Sequence, residues 1–482
     1  MNKIILAFIF ILGFGVRLYH LDTPLADWHS WRQVDTASVA RFFVKDGYNL
    51  LKPRYHDLSK IASGIENPSG WRFVEFPIYN ALHALFYQSA SLVSSELISF
   101  DQAGRLVSIF SWLFAGLYLY LIVKKRGDKF MSYGTLFFFF FLPFNIYYSR
   151  TILPESLMLL LGLSAIYYFS KSKLLAGAIL GSLALLVKPY IAFLLVPSVF
   201  VLAGQDYLRR KDKNTLIKYF FCLIGMAFPF LAWRSWMQHW PEGIPGTGWL
   251  LNKDNIRLRP AWWRWLFGER IGKLILGTWG IGIFVFGLIR KIEAKTVIFW
   301  AWLLGAFAYL VIFASGNVQH DYYQVLLSPT LAVFLGLGVS FLFSLPPKKT
   351  VNKYLLLLLV VFLTGLSLSL SWYTIKDYFS IIRPEIAMAG EKANELLPAD
   401  AKVIAPYGGD TAFLYQTRRS GWPLITDSLK ETWQRGATAY VAVDYNYITE
   451  GLIKFCKVLY EEPEKRFIIV SLTSCDWDKI NF

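Results

Sequence analysis

Apolar runs of roughly membrane-crossing length recur along this chain, and Lys and Arg gather in every second connection between them. In hydrocarbon a backbone must satisfy its own polar groups, so such runs form helices, each needing about 20 predominantly apolar residues. The basic clusters are Lys124, Lys125, Arg126 and Lys129; Lys171 and Lys173; Arg209 to Lys218; Arg290, Lys291 and Lys295; and Lys348, Lys349 and Lys353. The positive-inside rule makes these five loops cytoplasmic. The intervening loops hold most of the Trp, His and acidic residues that precede the C-terminal tail, and they face outward.

The expected spans are Ile4 to Val16, Leu106 to Val123, Tyr133 to Tyr148, Leu157 to Phe169, Leu174 to Val187, Ile191 to Ala203, Tyr219 to Trp233, Leu274 to Ile289, Val297 to Phe313, Val325 to Phe343 and Tyr354 to Leu370. That is about eleven helices, N-terminus inside and C-terminus outside. Lys3 and the first apolar run resemble a signal peptide, but no small-x-small site follows and Arg17 with Tyr19 closes the run as an interface does, so an uncleaved helix is expected. With 55% hydrophobic and only 17% charged residues, a soluble chain of 482 residues is a poor fit. The net charge of +16 sits largely in loops beside apolar segments, where orientation and anionic headgroups account for it, so no nucleic-acid partner is expected.

Pro77 to Leu92 alternates Ile78, Ala81, Leu82, Leu85 and Phe86 with Asn80, His83 and Gln88. If it spanned, every later basic loop would change sides. We therefore expect an amphipathic helix within a structured first outer loop over residues 20–102, with Asp35 to Phe43 as a candidate second one. Residues 1–372 then form a membrane domain, and residues 373–482 form a small extracytoplasmic α/β domain. Val403 to Pro406, Ala439 to Val443 and Phe467 to Leu472 read as its strands, and Glu385 to Leu397 and Tyr447 to Tyr460 as its helices. Cys456 and Cys475 both fall there, where oxidation is permitted and a disulfide could form.

The first outer loop carries Asp27, Trp28, His29, Ser30, Trp31, Arg32, Gln33, Val34 and Asp35 in unbroken order, and later Glu75-Phe76-Pro77. An aromatic belt explains the Trp residues but not so many ionisable groups beside them. Further outer positions hold Arg150 with Pro154-Glu155, Lys188-Pro189-Tyr190, and His320-Asp321-Tyr322-Tyr323. Taken singly, Lys188 could snorkel and His320 could satisfy a neighbour. Together with the first loop, these residues suggest a polar cavity above a hydrophobic belt, suited to a ligand with a lipid tail and a charged head.

The order of these features resembles the GT-C glycosyltransferases that use polyprenyl-phosphate sugars, in the branch of the protein O-mannosyltransferases and the aminoarabinose transferase of lipid A. Ala40-Arg41 follows the acidic cluster, and Glu75-Phe76-Pro77 stands in the place of a Glu-Lys-Pro-Pro element. Arg150 with Pro154-Glu155 matches an Arg…Pro-Asp/Glu element, Val187-Lys188-Pro189 a Thr-Lys-Gly-Pro turn, and His320 with Tyr322-Tyr323 a His…Tyr-Tyr motif. The resemblance covers roughly Met1 to Phe343. The chain departs from the pattern in lacking the Asp-Glu dipeptide and in having Phe76 where relatives carry Lys.

The resemblance implies a multi-pass helical enzyme with a polyprenyl-phosphate sugar donor, set among membrane lipids, with an acceptor that is a glycan, a lipid or a protein. Such a transfer needs a base for the acceptor hydroxyl and cationic help for the departing phosphate. Asp35 is the first candidate base, with Asp27 and Glu155 as the other catalytic candidates. Lys188, Arg150, Arg32, Tyr322 and Tyr323 are candidates for the donor phosphate. His29, Gln33, Glu75 and His320 are candidates for the acceptor or the cavity wall. No cofactor is specified; Glu75, Glu155 and His320 could contribute to a divalent-cation site, but carboxylate and imidazole this sparse select no ion. A lipid or ion carrier and an inactive scaffold are the rival classes. Against a carrier, no broken helix with midplane charge and no inverted repeat is visible in the sequence.

Overall fold

The computed structural model describes residues 3–345 and 350–480, so Lys348 and Lys349 of the last basic cluster lie outside the described residues. Within it, five helices are long and apolar enough to cross a membrane: Phe100–Lys124, Pro189–Arg210, Asn214–Met237, Asp321–Ser344 and Tyr354–Phe379. Shorter apolar helices occupy Glu155–Phe169, Leu174–Val187 and Val297–Ile312. The chain is a multi-pass, mostly helical membrane protein carrying a mixed five-stranded sheet near its C-terminus.

Two expected spans are interrupted. Tyr133 to Tyr148 is two helices, Lys129–Phe141 and Pro143–Tyr148. Pro143 brings no backbone N–H and pushes Leu142 out of the helical region, to φ −60° and ψ 126°. Leu274 to Ile289 is part of a bent pair, Pro260–Ile275 and Gly280–Leu288, at 113° to each other. Gly277 (φ +54°) and Thr278 (φ +61°) make the bend. A Cβ at Gly277 would come within 1.8 Å of the Ser367 carbonyl oxygen, so only glycine allows that approach.

The described chain divides into two compact units. The first comprises residues 1–21, 105–235 and 247–378 and holds most of the apolar helices. Its centre is the helix Ser328–Ser344, buried along nearly its whole length. Gly336 lies against the helix Lys129–Phe141, where a Cβ would meet Thr135 Oγ1 at 2.3 Å. Small residues of this kind let helices approach closely where no hydrophobic effect drives them together.

The second unit comprises residues 22–104, 236–246 and 379–482. Its strands are β1 (Lys402–Ile404), β2 (Ser420–Trp422), β3 (Ala439–Ala442), β4 (Lys457–Glu461) and β5 (Ile468–Ser471), in the order β2-β1-β3-β5-β4. β1 pairs in parallel with β2 and β3, whereas β5 runs antiparallel to both β3 and β4. Ile404, Trp422, Tyr440, Leu452, Ile468 and Trp477 form the core, and Leu58 from the first loop joins them. The backbone holds Leu58 there, because Leu58 N–H donates to Gly421 O at 2.8 Å and Gly421 N–H donates to His56 O at 2.9 Å.

The first loop carries two helices, Ser30–Asp46 and Ile78–Ser91, which pack on each other. Gly47 (φ +89°, ψ 166°) ends the first in a conformation open to glycine and donates to Phe43 O. The expected helix Tyr447 to Tyr460 stops at Phe455. Cys456 is extended (φ −130°, ψ 160°) and disulfide-bonded to Cys475, and the residues after it pair with β5 as β4. β2 was not expected, since three residues that include a glycine carry no alternating pattern.

Candidate functional site

In the second unit, the helix Ser30–Asp46 starts at His29, which adopts left-handed backbone (φ +55°), and its first turns carry the charged groups inward. Asp35 is buried and accepts from Arg72 Nη2 at 2.6 Å and from Thr411 Oγ1 at 2.7 Å. One turn earlier Arg32 pairs with Glu75 and donates to Thr36 Oγ1 at 3.1 Å. Gln33 donates to Asp27 Oδ1 at 2.7 Å and to the Trp28 carbonyl at 3.2 Å. The His29 ring lies 5.1 Å from that of Trp28. Arg32, Asp35, Arg72, Glu75 and Asn80 share one small crevice.

Buried neighbours extend this cluster. His56 Nε2 lies 3.2 Å from the Thr411 carbonyl, and burial holds its pKa down to about 4. Asp57 and Asp410 are pushed the other way, each up to about 6, because burial disfavours the carboxylate. Backbone N–H groups of Ser59 and Ala412 oppose that rise by donating to them, at 2.8 and 2.7 Å. Asp35, set between Arg72 and Thr411, is thus surrounded by groups whose charge states depend on exclusion of water.

In the first unit, Lys188 is extended (φ −162°, ψ 117°) because Pro189 follows it, and there the helix Leu174–Val187 ends. Its ammonium is buried and pairs with Glu155, the first residue of the helix Glu155–Phe169. The rings of Tyr190, Tyr322 and Tyr323 surround it at 5.9, 5.4 and 5.6 Å to their centroids, within cation–π range. His320 stacks on Tyr322 at 5.5 Å and meets the Trp249 ring edge-on at 5.5 Å. Arg150 is fully buried and donates to the carbonyls of Tyr19 and His20 at 2.8 and 2.7 Å.

The residues singled out from sequence are divided between the two units. Asp27, His29, Arg32, Gln33, Asp35 and Glu75 lie in the second unit; Arg150, Glu155, Lys188, His320, Tyr322 and Tyr323 lie in the first. Among the described residues, no three His, Cys, Asp or Glu side chains group as a metal site would require. Glu75 faces Arg32, Glu155 faces Lys188, and His320 lies among aromatic rings.

Sequence reasoning missed Arg72 and Thr411, which hold Asp35, and it named Asp321 within the run from His320 to Tyr323 without giving it a role. Arg72 sits three residues before Glu75, a proximity that could have drawn notice. Thr411 carries no sequence signal. Asp321 is fully buried; it accepts from Tyr148, from Tyr378 Oη at 2.5 Å and from Arg270 Nη1 at 3.1 Å. Its place between His320 and Tyr322 fixes the backbone that carries both rings.

No family model and no curated protein sequence matches this chain. Its structure does match solved ones. ArnT from Cupriavidus metallidurans bound to undecaprenyl phosphate superposes with a TM-score of 0.63 at 12% identity, covering 98% of each chain. The same enzyme in the apo state gives 0.64 at 11% identity over 97% of each. The oligosaccharyltransferase of Archaeoglobus fulgidus, in complex with Zn and sulfate, gives 0.50 at 11% identity, covering 98% of this chain and 73% of that one. The chain thus has the GT-C fold that its motif order resembles, and at this identity the likeness is one of fold.

Proposed function

We propose that this protein is an integral-membrane glycosyltransferase that moves a sugar from a polyprenyl-phosphate donor to an acceptor at the outer face of the membrane. The observation that carries the reading is the setting of Lys188, a buried ammonium held by one carboxylate and three tyrosine rings at a helix end. Ionisable groups kept charged inside an apolar helical unit mark binding sites, and Lys188 keeps its charge there through its pair with Glu155. In a fold shared with a protein whose structure holds undecaprenyl phosphate, a lipid phosphate is the anion that fits.

In this reading the acceptor oxygen attacks the anomeric carbon as the bond from that carbon to the phosphate oxygen breaks. The acceptor proton passes to Asp35, with Asp27 and Glu155 as the alternatives, and the phosphate leaves with its charge met by Lys188. Arg32, Tyr322 and Tyr323 serve the donor phosphate; His29, Gln33, Glu75 and His320 serve the acceptor side. Arg150, bound to two backbone carbonyls, is assigned a positioning role.

The proposed topology has about eleven spans, counting the five long helices, the bent pair, the three shorter apolar helices, Lys3–Gly15, and Lys129–Phe141 with Pro143–Tyr148 as one, with the N-terminus inside and residues 373–482 outside. The Cys456–Cys475 disulfide supports an outer, oxidising side for the sheet. Cysteines introduced near Trp28 and Pro241 should then label from outside, while those near Lys125 and Lys211 stay protected.

A carrier is the second reading, and the bent pair Pro260–Ile275 and Gly280–Leu288 favours it, since carriers use broken helices at their binding sites. The break itself, Leu276 to Trp279, holds no ionisable side chain, which weighs against ion or phosphate binding there. Mass spectrometry of copurifying lipids, followed by single-turnover transfer from a synthetic undecaprenyl-phosphate sugar, separates the two. Recovery of bulk phospholipid alone, with no transfer, rejects the enzyme.

A further inference from the structure

Beside the Asp35 cluster, and wholly within the second unit, lies a cleft of about 220 Å³. Arg41, Lys45, Arg54, Lys402, Arg418 and Arg419 line it, and Asp400 is the single acidic group in its wall. Some of these cations are already engaged. Arg54 pairs with Asp46 at 3.2 Å, Arg419 donates to the carbonyls of Pro398 and Leu397 at 2.6 Å each, and Arg41 stacks on the Tyr415 ring at 3.7 Å. Among the described residues, Lys45, Lys402 and Arg418 have no carboxylate partner. The cleft therefore concentrates positive charge that the fold leaves uncompensated, a field that attracts anions.

The backbone at Arg418 and the ring of His56 show what else lines the cleft. Arg418, at φ +55°, is the left-handed residue that closes the helix Ala412–Gln416, so its side chain leaves the chain at a fixed turn. His56, 4% exposed, also lines the cleft, and its Nδ1 is buried without a hydrogen-bond partner. Its Nε2 lies 3.2 Å from the Thr411 carbonyl, which can only accept, so Nε2 carries the proton. Nδ1 is thereby left as an acceptor in search of a donor.

An anion alone would answer the cations and leave Nδ1 unmet. A ligand carrying both a phosphate and a hydroxyl answers both. We propose that this cleft is a binding site for a phosphorylated saccharide, with the phosphate held by Lys45, Lys402 and Arg418 and one sugar hydroxyl donating to His56 Nδ1. Guanidinium matches phosphate oxygens in pairs, and a cleft below the roughly 300–1,000 Å³ of drug-sized pockets suits a single sugar unit. The proposal does not depend on the transfer reaction proposed above.

The test is calorimetric titration of the full chain in zwitterionic nanodiscs with three probes: glucose 6-phosphate, inorganic phosphate and glucose. Glucose 6-phosphate should bind more tightly than phosphate by about tenfold, as expected for one added hydrogen bond to a buried acceptor, and glucose should not bind. Arg418→Gly removes a cation at a position where glycine is at ease, so melting should be unchanged or improved. Combined with Lys45→Gln, it should weaken glucose 6-phosphate by a further tenfold or more. Equal affinity for sugar phosphate and phosphate, binding of glucose, unchanged affinity in the double variant, or no binding by the native protein would each overturn the proposal.

Discussion

The Thr411 hydroxyl donates to Asp35 Oδ1 at 2.7 Å, joining two residues 376 positions apart. Arg72 holds the other carboxylate oxygen at 2.6 Å, so Asp35 is fixed from both sides by groups that lie on different segments of the second unit. A carboxylate so held has one orientation, which is what a general base requires.

Asp35→Asn keeps the shape and removes the proton acceptor. Transfer should fall by about 10²–10⁴-fold with donor binding retained. Thr411→Val should fall by less, since it frees the carboxylate without removing it. Asp27→Asn is the paired comparison: if it abolishes turnover while Asp35→Asn does not, the base is Asp27.

Lys188→Ala should weaken binding of undecaprenyl phosphate and slow transfer together. Lys188→Arg should rescue both in part, because charge is kept while the compact ammonium is not. Unchanged lipid-phosphate affinity in Lys188→Ala, measured by direct binding on purified protein, would falsify the phosphate role and leave a structural pair with Glu155.

Acid should act on the second unit through opposed groups. Asp57 and Asp410, raised to about 6 from 3.8, bind protons more readily folded than unfolded, so their contribution to stability is greatest below about 4 and declines as pH rises to about 6. His56, lowered from 6.5 to about 4, contributes oppositely: its share is present above 6.5 and is lost as pH falls towards 4. Each aspartate shift corresponds to about 3 kcal/mol. The double variant Asp57→Asn, Asp410→Asn should therefore lose more stability than the native protein on acidification from about pH 7 to about pH 4.5, read by melting temperature. An identical pH profile for the two proteins would show that these carboxyls titrate normally.

The disulfide closes a loop with a sequence separation of 19 between Cys456 and Cys475, at the point where a helix gives way to β4. Replacing both cysteines with serine should cost about 3 kcal/mol, as loop closure in the unfolded chain predicts. The loss should appear in protease resistance around residues 455–476. Equal resistance with and without reductant would show that β4 is held by β5 and the core alone.

Much of this protein could be read from local pattern. Apolar run length marked the helices, and the shift to charged, short-run sequence after Leu370 marked the sheet, because hydrocarbon and water impose different periods on a chain. Lys188, Glu155 and the tyrosine pair could be singled out because a charge beside an apolar run is rare enough to notice. The breaks at Leu142 and Gly277 were less visible. Pro143 announced the first, but the second depends on a Ser367 carbonyl that a distant helix brings up against Gly277.

The partners of each charge were decided by packing. Nothing near Asp35 in the chain points to Thr411 or Arg72, nothing near Leu58 points to the sheet core, and the strand after Cys456 took helix-like sequence because β5 and Cys475 were there to receive it. Membrane character and motif order are properties of neighbouring residues, set by how each segment partitions between lipid and water. The pairings that set charge state, orientation and reactivity are long-range contacts, and they exist only once burial has removed the water that would otherwise have served every one of those groups.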